Sequence, residues 1–177
     1  MTPIHVRHAS TSDAEAIARI YNHYVRTSTA TFDTQDKTSE DRASWIEQRT
    51  AEHPILVAEQ DGRVVGWGSL SPWGERPAYR HSVEISTYVD NEVTGRGVGP
   101  VLAQALVDEA RRIGHHAVLS RIVADNEASL AMSARLGFSE AGRLYEVGYK
   151  FGRWLDLVIC ELILDAARDG DRGGDRS

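Results

Sequence analysis

Gly95, Gly97 and Gly99 fall at alternate positions between Asp90 and Leu102, just ahead of an apolar run with helical spacing. Glycine loses more freedom on folding than any other residue, so three at a helix start call for a reason. One is anion binding. A helix N-terminus offers N–H groups without intrahelical partners and the positive end of the macrodipole, and glycines remove the Cβ atoms that would block a phosphate. The other is a plain strand-to-helix turn that binds nothing. The glycines alone leave both open, and Pro100 suits either, since its missing N–H costs little in a first helical turn. A Walker loop is excluded because no Gly-Lys-Ser/Thr follows. A dinucleotide fingerprint fails at Pro100, where its last glycine would stand.

Other side chains near this turn have types that could do chemistry. Ser82 to Val89 alternates, with Val83, Ile85, Thr87 and Val89 on one face and Ser82, Glu84, Ser86 and Tyr88 on the other. Glu84 is then a carboxylate within a few residues of the glycines, either a proton acceptor or a solvent-facing residue on a half-exposed strand. Asn126 and Ser129 open a later helix, where Asn is also an ordinary N-cap. Arg76 and Arg80 precede the Glu84 strand; a guanidinium there suits a carboxylate or is simply solvated. Phe32, Tyr79 and Tyr88 could wall a pocket or fill core. Arg111, Arg112, His115, His116 and Arg121 could attract phosphates but read better as a solvated helix end. The seven histidines lack metal-ligand spacing, so no metal is expected.

The elements that must position these residues follow from periodicity. Ile4 and Val6 mark a first strand. A capping box at Ser12 to Glu15 precedes a helix that buries Ile17, Ile20, Tyr21, Tyr24 and Val25. A second helix starts near Thr38 or Ser39. Extended runs at 55–59 and 63–70 flank Asp61-Gly62, a hairpin signal, and 71–79 reads as a loop. A helix from about Gly97 to Ile113 carries Val98, Val101, Leu102, Ala105, Leu106 and Ile113 on one stripe. A strand at 117–123, a helix at 126–136 and two strands within 143–164 complete a mixed α/β pattern. Residues 166–177 hold three Arg, three Asp and almost nothing apolar, and are expected to be a disordered tail.

Composition narrows the function class. At 177 residues, 41% apolar and 26% charged, the chain is one soluble globular domain. Its net charge of −6 argues against broad nucleic-acid binding. The single cysteine, Cys160, lies in an apolar run and reads as inert core. With no signal-like N-terminus and no membrane-length apolar stretch, a cytoplasmic protein without a membrane partner is expected.

Val89 to Leu102 resembles the pyrophosphate loop of the GNAT N-acetyltransferases, Q/R-x-x-G-x-G/A, which binds acetyl-CoA. Gly97 and Gly99 take the two glycine positions, and Thr94 stands where Gln or Arg is usual. Asn126 to Ser129 is similar to the family's N-x-x-S, and Leu136-Gly137-Phe138 to its L-G-F/Y. The resemblance implies a single-domain GNAT fold over 1–165, with a mixed central sheet flanked by helices. It implies acetyl-CoA as cosubstrate, held by Tyr88, Val89, Thr94, Gly95, Arg96, Gly97, Val98, Gly99, Asn126 and Ser129.

Further stretches are similar to phosphinothricin and methionine sulfone or sulfoximine N-acetyltransferases. These are Asn22 to Val25, Ser28 to Phe32, Trp73 to Tyr79, Val83-Glu84 through Val89, and Gly148-Tyr149-Lys150-Phe151-Gly152-Arg153-Trp154-Leu155-Asp156. This resemblance implies a small amino-acid-like amine acceptor, Glu84 as general base acting through water, and an oxyanion donor among the backbone N–H groups of 88–90. It further implies acceptor contacts from Phe32, Arg76, Tyr79, Arg80 and Lys150, with Lys150 and Trp154 equally suited to shaping the site or to a dimer contact, and a homodimer. Where many relatives carry a Tyr or His to protonate the departing thiolate, this chain has Ser133. Two alternatives remain at this level: an acetyltransferase for another small amine, or a CoA-binding module with little catalysis, which Thr94 and Ser133 motivate.

Overall fold

The computed structural model describes residues 2–164, so the expected tail at 166–177 lies outside the described residues. Seven strands form one sheet: β1 (His5–His8), β2 (Ile55–Gln60), β3 (Arg63–Pro72), β4 (Ser82–Val89), β5 (Ala117–Val123), β6 (Ser139–Lys150) and β7 (Arg153–Ile163). Their order across the sheet is β1-β2-β3-β4-β5-β7-β6. Every neighbouring pair is antiparallel except β4 and β5.

Four helices cover the two faces. α1 (Ala14–Thr27) and α2 (Ser39–Glu47) lie on one, where Ile17, Ile20 and Tyr21 bury against Ile55, Val57 and Trp67. α3 (Val98–Ile113) lies on the other, with Leu102 and Leu106 packed among Leu56, Val83 and Val118. α4 (Glu127–Arg135) joins that face through Leu130 and Met132. The alternation in β4 divides accordingly: Val83 and Ile85 face α3, whereas Tyr88 packs with the α1 side.

Local chemistry explains the boundaries. The capping interaction before α1 uses Ser10 and Asp13, not Ser12 and Glu15: the Ser10 N–H donates to Asp13 Oδ2 at 2.8 Å and the Asp13 N–H to the Ser10 carbonyl at 2.9 Å. Arg7 clamps the same carboxylate through both terminal nitrogens, at 2.8 and 2.9 Å. The Asp61-Gly62 hairpin forms as its residue types dictate, with φ of +54° and +73°. β3 runs on to Pro72 and β6 begins at Ser139, both longer than periodicity alone indicates, because each extension pairs with a neighbouring strand.

The buried stripe of α3 is Val98, Leu102, Ala103, Leu106, Val107 and Ala110, with Val101 turned outward. Of the expected stripe, Val98, Leu102 and Leu106 are buried and Ala105 and Ile113 pack against the same core, so only Val101 departs from it. Ala103, Val107 and Ala110 join the buried face, which sits close on β3. A Cβ on Gly68 would lie 2.6 Å from Leu106 Cδ1 and 2.6 Å from the Ser86 carbonyl oxygen. Glycine there lets α3 settle close against the sheet, and this seat fixes where its N-terminus points.

Candidate active site

β4 and β5 pair in parallel only at Ser82–Ala117, Val83–Val118 and Glu84–Leu119. Past Glu84 the two strands part. A cleft of about 850 Å³ opens in the wedge, walled by Ile85 to Val89 of β4 and Ser120 to Val123 of β5. The start of α3 and the start of α4 close its far side, and Tyr24, Ser28, Thr29 and Ala30 rim it from the α1 side.

The glycine turn adopts the conformation that its residue types permit. Gly95 and Gly97 have φ of +80° and +86°, and Gly97 is the N-cap of α3. A Cβ on either would meet nothing within 4 Å, so backbone conformation and not crowding requires glycine at both positions. Gly99 differs. It lies inside the first turn of α3, and a Cβ there would make ordinary contacts with Met132 Sδ at 3.5 Å and Val89 Cγ2 at 3.6 Å. The open backbone at 95–97, facing a cleft at a helix N-terminus, fits a pyrophosphate group. Arg96 is exposed and lies off the cleft wall. Thr94 is on the wall, with its hydroxyl 3.4 Å from the Asp90 carbonyl.

Asp90 anchors this turn. Its side chain is 1% exposed and pairs with Arg19 at 2.7 Å and Arg63 at 3.0 Å, while Oδ1 accepts the Glu92 N–H at 3.1 Å. Burial alone would raise its pKa, but the Arg19 hydrogen bond, the Glu92 amide and both cations together hold it below the ordinary Asp value. Its N–H donates to the Val65 carbonyl at 2.8 Å, toward β3. Strand alternation then aims the Tyr88 N–H toward β3 as well and the Val89 N–H toward the cleft. The Tyr24 hydroxyl donates to the Val89 carbonyl at 2.7 Å and fixes that stretch from α1. Tyr88 stacks on Trp67 with ring centroids 4.8 Å apart, and burial pushes its hydroxyl pKa up.

On α4, Asn126 is the N-cap, its Oδ1 accepting the Ser129 N–H at 3.2 Å, and both residues line the cleft. Ser133 also lines it but is buried.

Glu84 sits where the strands begin to part. Its side chain is 20% exposed and forms an ion pair with Arg121 of β5, Oε2 to Nη2, at 3.1 Å. Burial pushes the Glu84 carboxyl above its ordinary value, and the Arg121 charge opposes that shift. Arg121 lines the cleft, is 45% exposed, and lies over the Trp73 ring with its guanidinium carbon 4.8 Å from the centroid. The solvated-helix-end reading is therefore wrong for Arg121, which sits on a strand beside Glu84. It is also wrong for His115, which is buried and donates from Nε2 to the Glu52 carbonyl at 2.7 Å. The sequence signal that could have found Arg121 was its period: two residues past Leu119, it lies on the face Glu84 uses.

The remaining expected acceptor contacts are placed differently from one another. Arg76, Tyr79 and Arg80 are exposed in the segment before β4 and off the cleft wall; Arg80 Nε donates to His81 Nε2 at 3.0 Å. Phe32 is 40% exposed and its ring rests on Gly148, where a Cβ would overlap it. Lys150 is 5% exposed, and its ammonium donates to the carbonyls of Ser28 and Thr31, each at 2.8 Å. It therefore braces the segment that rims the cleft.

Among the described residues no group of three His, Cys, Asp or Glu could hold a metal ion, and no helix is long and apolar enough to cross a membrane. Comparison with known proteins agrees with the fold. A family model described as an acetyltransferase (GNAT) domain matches residues 6–159. The chain is 41% identical over 170 residues to the L-amino acid N-acyltransferase MnaT of Escherichia coli, covering 96% of this chain and 99% of that one. It is 38% identical over 161 residues to an L-methionine sulfoximine/L-methionine sulfone acetyltransferase of Salmonella typhimurium, covering 90% and 94% of the two chains. The solved structure of yncA from Salmonella typhimurium with its cofactor acetyl-CoA superposes with a TM-score of 0.89 at 37% identity, covering 96% of this chain and 99% of that one.

Proposed function

The chain belongs to the GNAT acetyltransferase family, and on that premise we propose that it transfers the acetyl group of acetyl-CoA to the amine of a small amino-acid-like acceptor. Acceptors of the phosphinothricin, methionine sulfone and methionine sulfoximine type fit the sequence resemblance, and the curated relatives are named for such chemistry. The observation that carries the proposal is the parting of β4 from β5 immediately after Glu84, beside the glycine turn of α3.

Bound acetyl-CoA supplies a thioester carbonyl for direct attack by the amine. The protein's own groups do the rest. The backbone N–H groups of Gly97, Val98 and Gly99 at the N-terminus of α3 hold the pyrophosphate, with Asn126 and Ser129 beside them; the Arg96 N–H is already taken by the Val93 carbonyl at 3.2 Å. The Val89 N–H, aimed into the wedge, donates to the oxygen that gains charge in the tetrahedral intermediate. Glu84 takes the ammonium proton through a water, because only the free amine attacks. Burial raises its pKa, against the opposing Arg121 charge, and so makes it a better proton acceptor than an exposed carboxylate. No side chain is assigned to protonate the thiolate.

Thiol release from acetyl-CoA tests the proposal, with methionine sulfone, methionine sulfoximine, phosphinothricin and a polyamine as acceptors. Turnover confined to the amino-acid analogues is the expected result. Stabilisation by CoA without release for any acceptor would instead fit a binding module.

The assembly belongs to the same reading, that of a cytoplasmic homodimer. β6 ends the sheet, and Tyr145, Val147, Tyr149, Phe151 and Trp154 of the β6–β7 hairpin are each more than half exposed. Exposed apolar side chains grouped on one hairpin at a sheet edge mark an interaction surface, and a second copy of the same hairpin is its proposed occupant. Sedimentation equilibrium is expected to return twice the chain mass of 19.6 kDa; a monomer at all concentrations would contradict it.

A further inference from the structure

Arg121 lines the cleft and pairs with Glu84, which stands one residue before the wall begins at Ile85; Arg135 lines the cleft from α4, whereas the loop arginines Arg76 and Arg80 lie off its wall. We propose that Arg121 binds the α-carboxylate of the acceptor, so that the Glu84–Arg121 pair reads the zwitterion of an α-amino acid and discriminates against amines lacking that carboxylate. The inference rests on the acetyltransferase reading above and names its specificity determinant.

Three features carry it. An α-amino acid holds its ammonium and carboxylate one carbon apart, and a site for it needs an anion and a cation comparably close. Glu84 Oε2 and Arg121 Nη2 are 3.1 Å apart. A guanidinium carries five donors in a planar fork, more than one carboxylate can occupy, and Nη2 is at ion-pair distance from Glu84. With Arg121 45% exposed on the cleft wall, its other donors can take a carboxylate without giving up Glu84. Finally, the Trp73 ring beneath the guanidinium restricts where that plane can swing. The cation is thus pre-positioned, which limits the entropy lost on binding.

Placement also follows from the strands. Arg121 and Glu84 project from the same sheet face, on two strands that have just begun to part. A carboxylate held at Arg121 leaves the attached amine beside Glu84 and directs it toward the wedge where Val89 waits. An amine without the carboxylate reaches the same base but lacks this tether.

The test compares methionine sulfone with its decarboxylated analogue, 3-(methylsulfonyl)propylamine, in the wild type, Arg121→Gln and Arg121→Lys. For methionine sulfone, Arg121→Gln is expected to raise KM by about 10- to 100-fold, the range for losing a charge-assisted contact. The decarboxylated amine is expected to change by much less, so the preference for the carboxylate collapses. Arg121→Lys keeps a charge without the fork and is expected to fall between, which also covers a glutamine variant that fails to fold. Equal losses for both acceptors, or an unchanged preference in both variants, would overturn the inference and leave Arg121 only as support for Glu84. Failure of the wild type to acetylate either acceptor would instead overturn the functional proposal beneath it.

Discussion

Replacing Glu84 with Gln is expected to lower kcat/KM for acetyl transfer by about 100- to 10,000-fold, the contribution usual for a positioned general base. The substitution keeps the side chain's shape and removes only its capacity to accept a proton. CoA binding should survive it, because the proposed coenzyme contacts come from the α3 turn and α4, not from Glu84. CoA should therefore raise the melting temperature of the variant about as much as that of the wild type. A variant with near-normal turnover would remove Glu84 from the mechanism. One that had also lost its CoA response would point to a disturbed cleft instead.

The pH profile gives the same assignment a second handle. Burial raises the Glu84 pKa and Arg121 lowers it, so the acid limb of kcat/KM should inflect above the ordinary Glu value. Removing Arg121 removes the lowering influence, so in Arg121→Gln that limb should move to higher pH. A limb unmoved by Arg121→Gln would mean that another group sets it.

Much of this site was legible in the sequence because it is local. The glycine turn, the alternating strand before it and the N-cap after β5 each lie within a few consecutive residues, where turn conformation, two-residue period and capping chemistry apply directly. What periodicity could not supply was pairing between distant elements. Arg121 looks like one more cation after a helix until β5 is set parallel to β4, which brings it against Glu84 across 37 residues of chain. Asp90 is similarly opaque: nothing near it announces that Arg19 and Arg63, from α1 and β3, meet on its carboxylate. On α3 periodicity does not show that Ala103, Val107 and Ala110 are buried or that Val101 is not, because the surface it packs on, around Gly68 of β3, is distant in sequence.

Lys150 is the residue for which the two levels lead to different expectations, and Lys150→Met separates them. A subfamily signature with a lysine in it suits a cation for an anionic acceptor as well as a residue that shapes the site or a dimer contact. The fold gives that lysine other partners, the Ser28 and Thr31 carbonyls at 2.8 Å each, with its side chain 5% exposed. Its signature neighbours serve the same hairpin and loop. Gly148 makes room for the Phe32 ring, and Asp156 Oδ1 accepts the Glu146 N–H at 3.0 Å where the β6 register shifts. Methionine keeps the apolar stem and deletes the donor, leaving two carbonyls of the cleft-rimming segment unsatisfied. At about 1–3 kcal/mol for a buried acceptor left without a partner, which applies in full to the Thr31 carbonyl and in part to the half-buried Ser28 carbonyl, the melting temperature should fall by several degrees. Because Ser28 and Ala30 rim the cleft, acetyl-CoA and the acceptor should both bind less well, and to a similar extent. An unchanged melting temperature with weaker binding of the acceptor alone would return Lys150 to the acceptor site, and the brace would then be incidental.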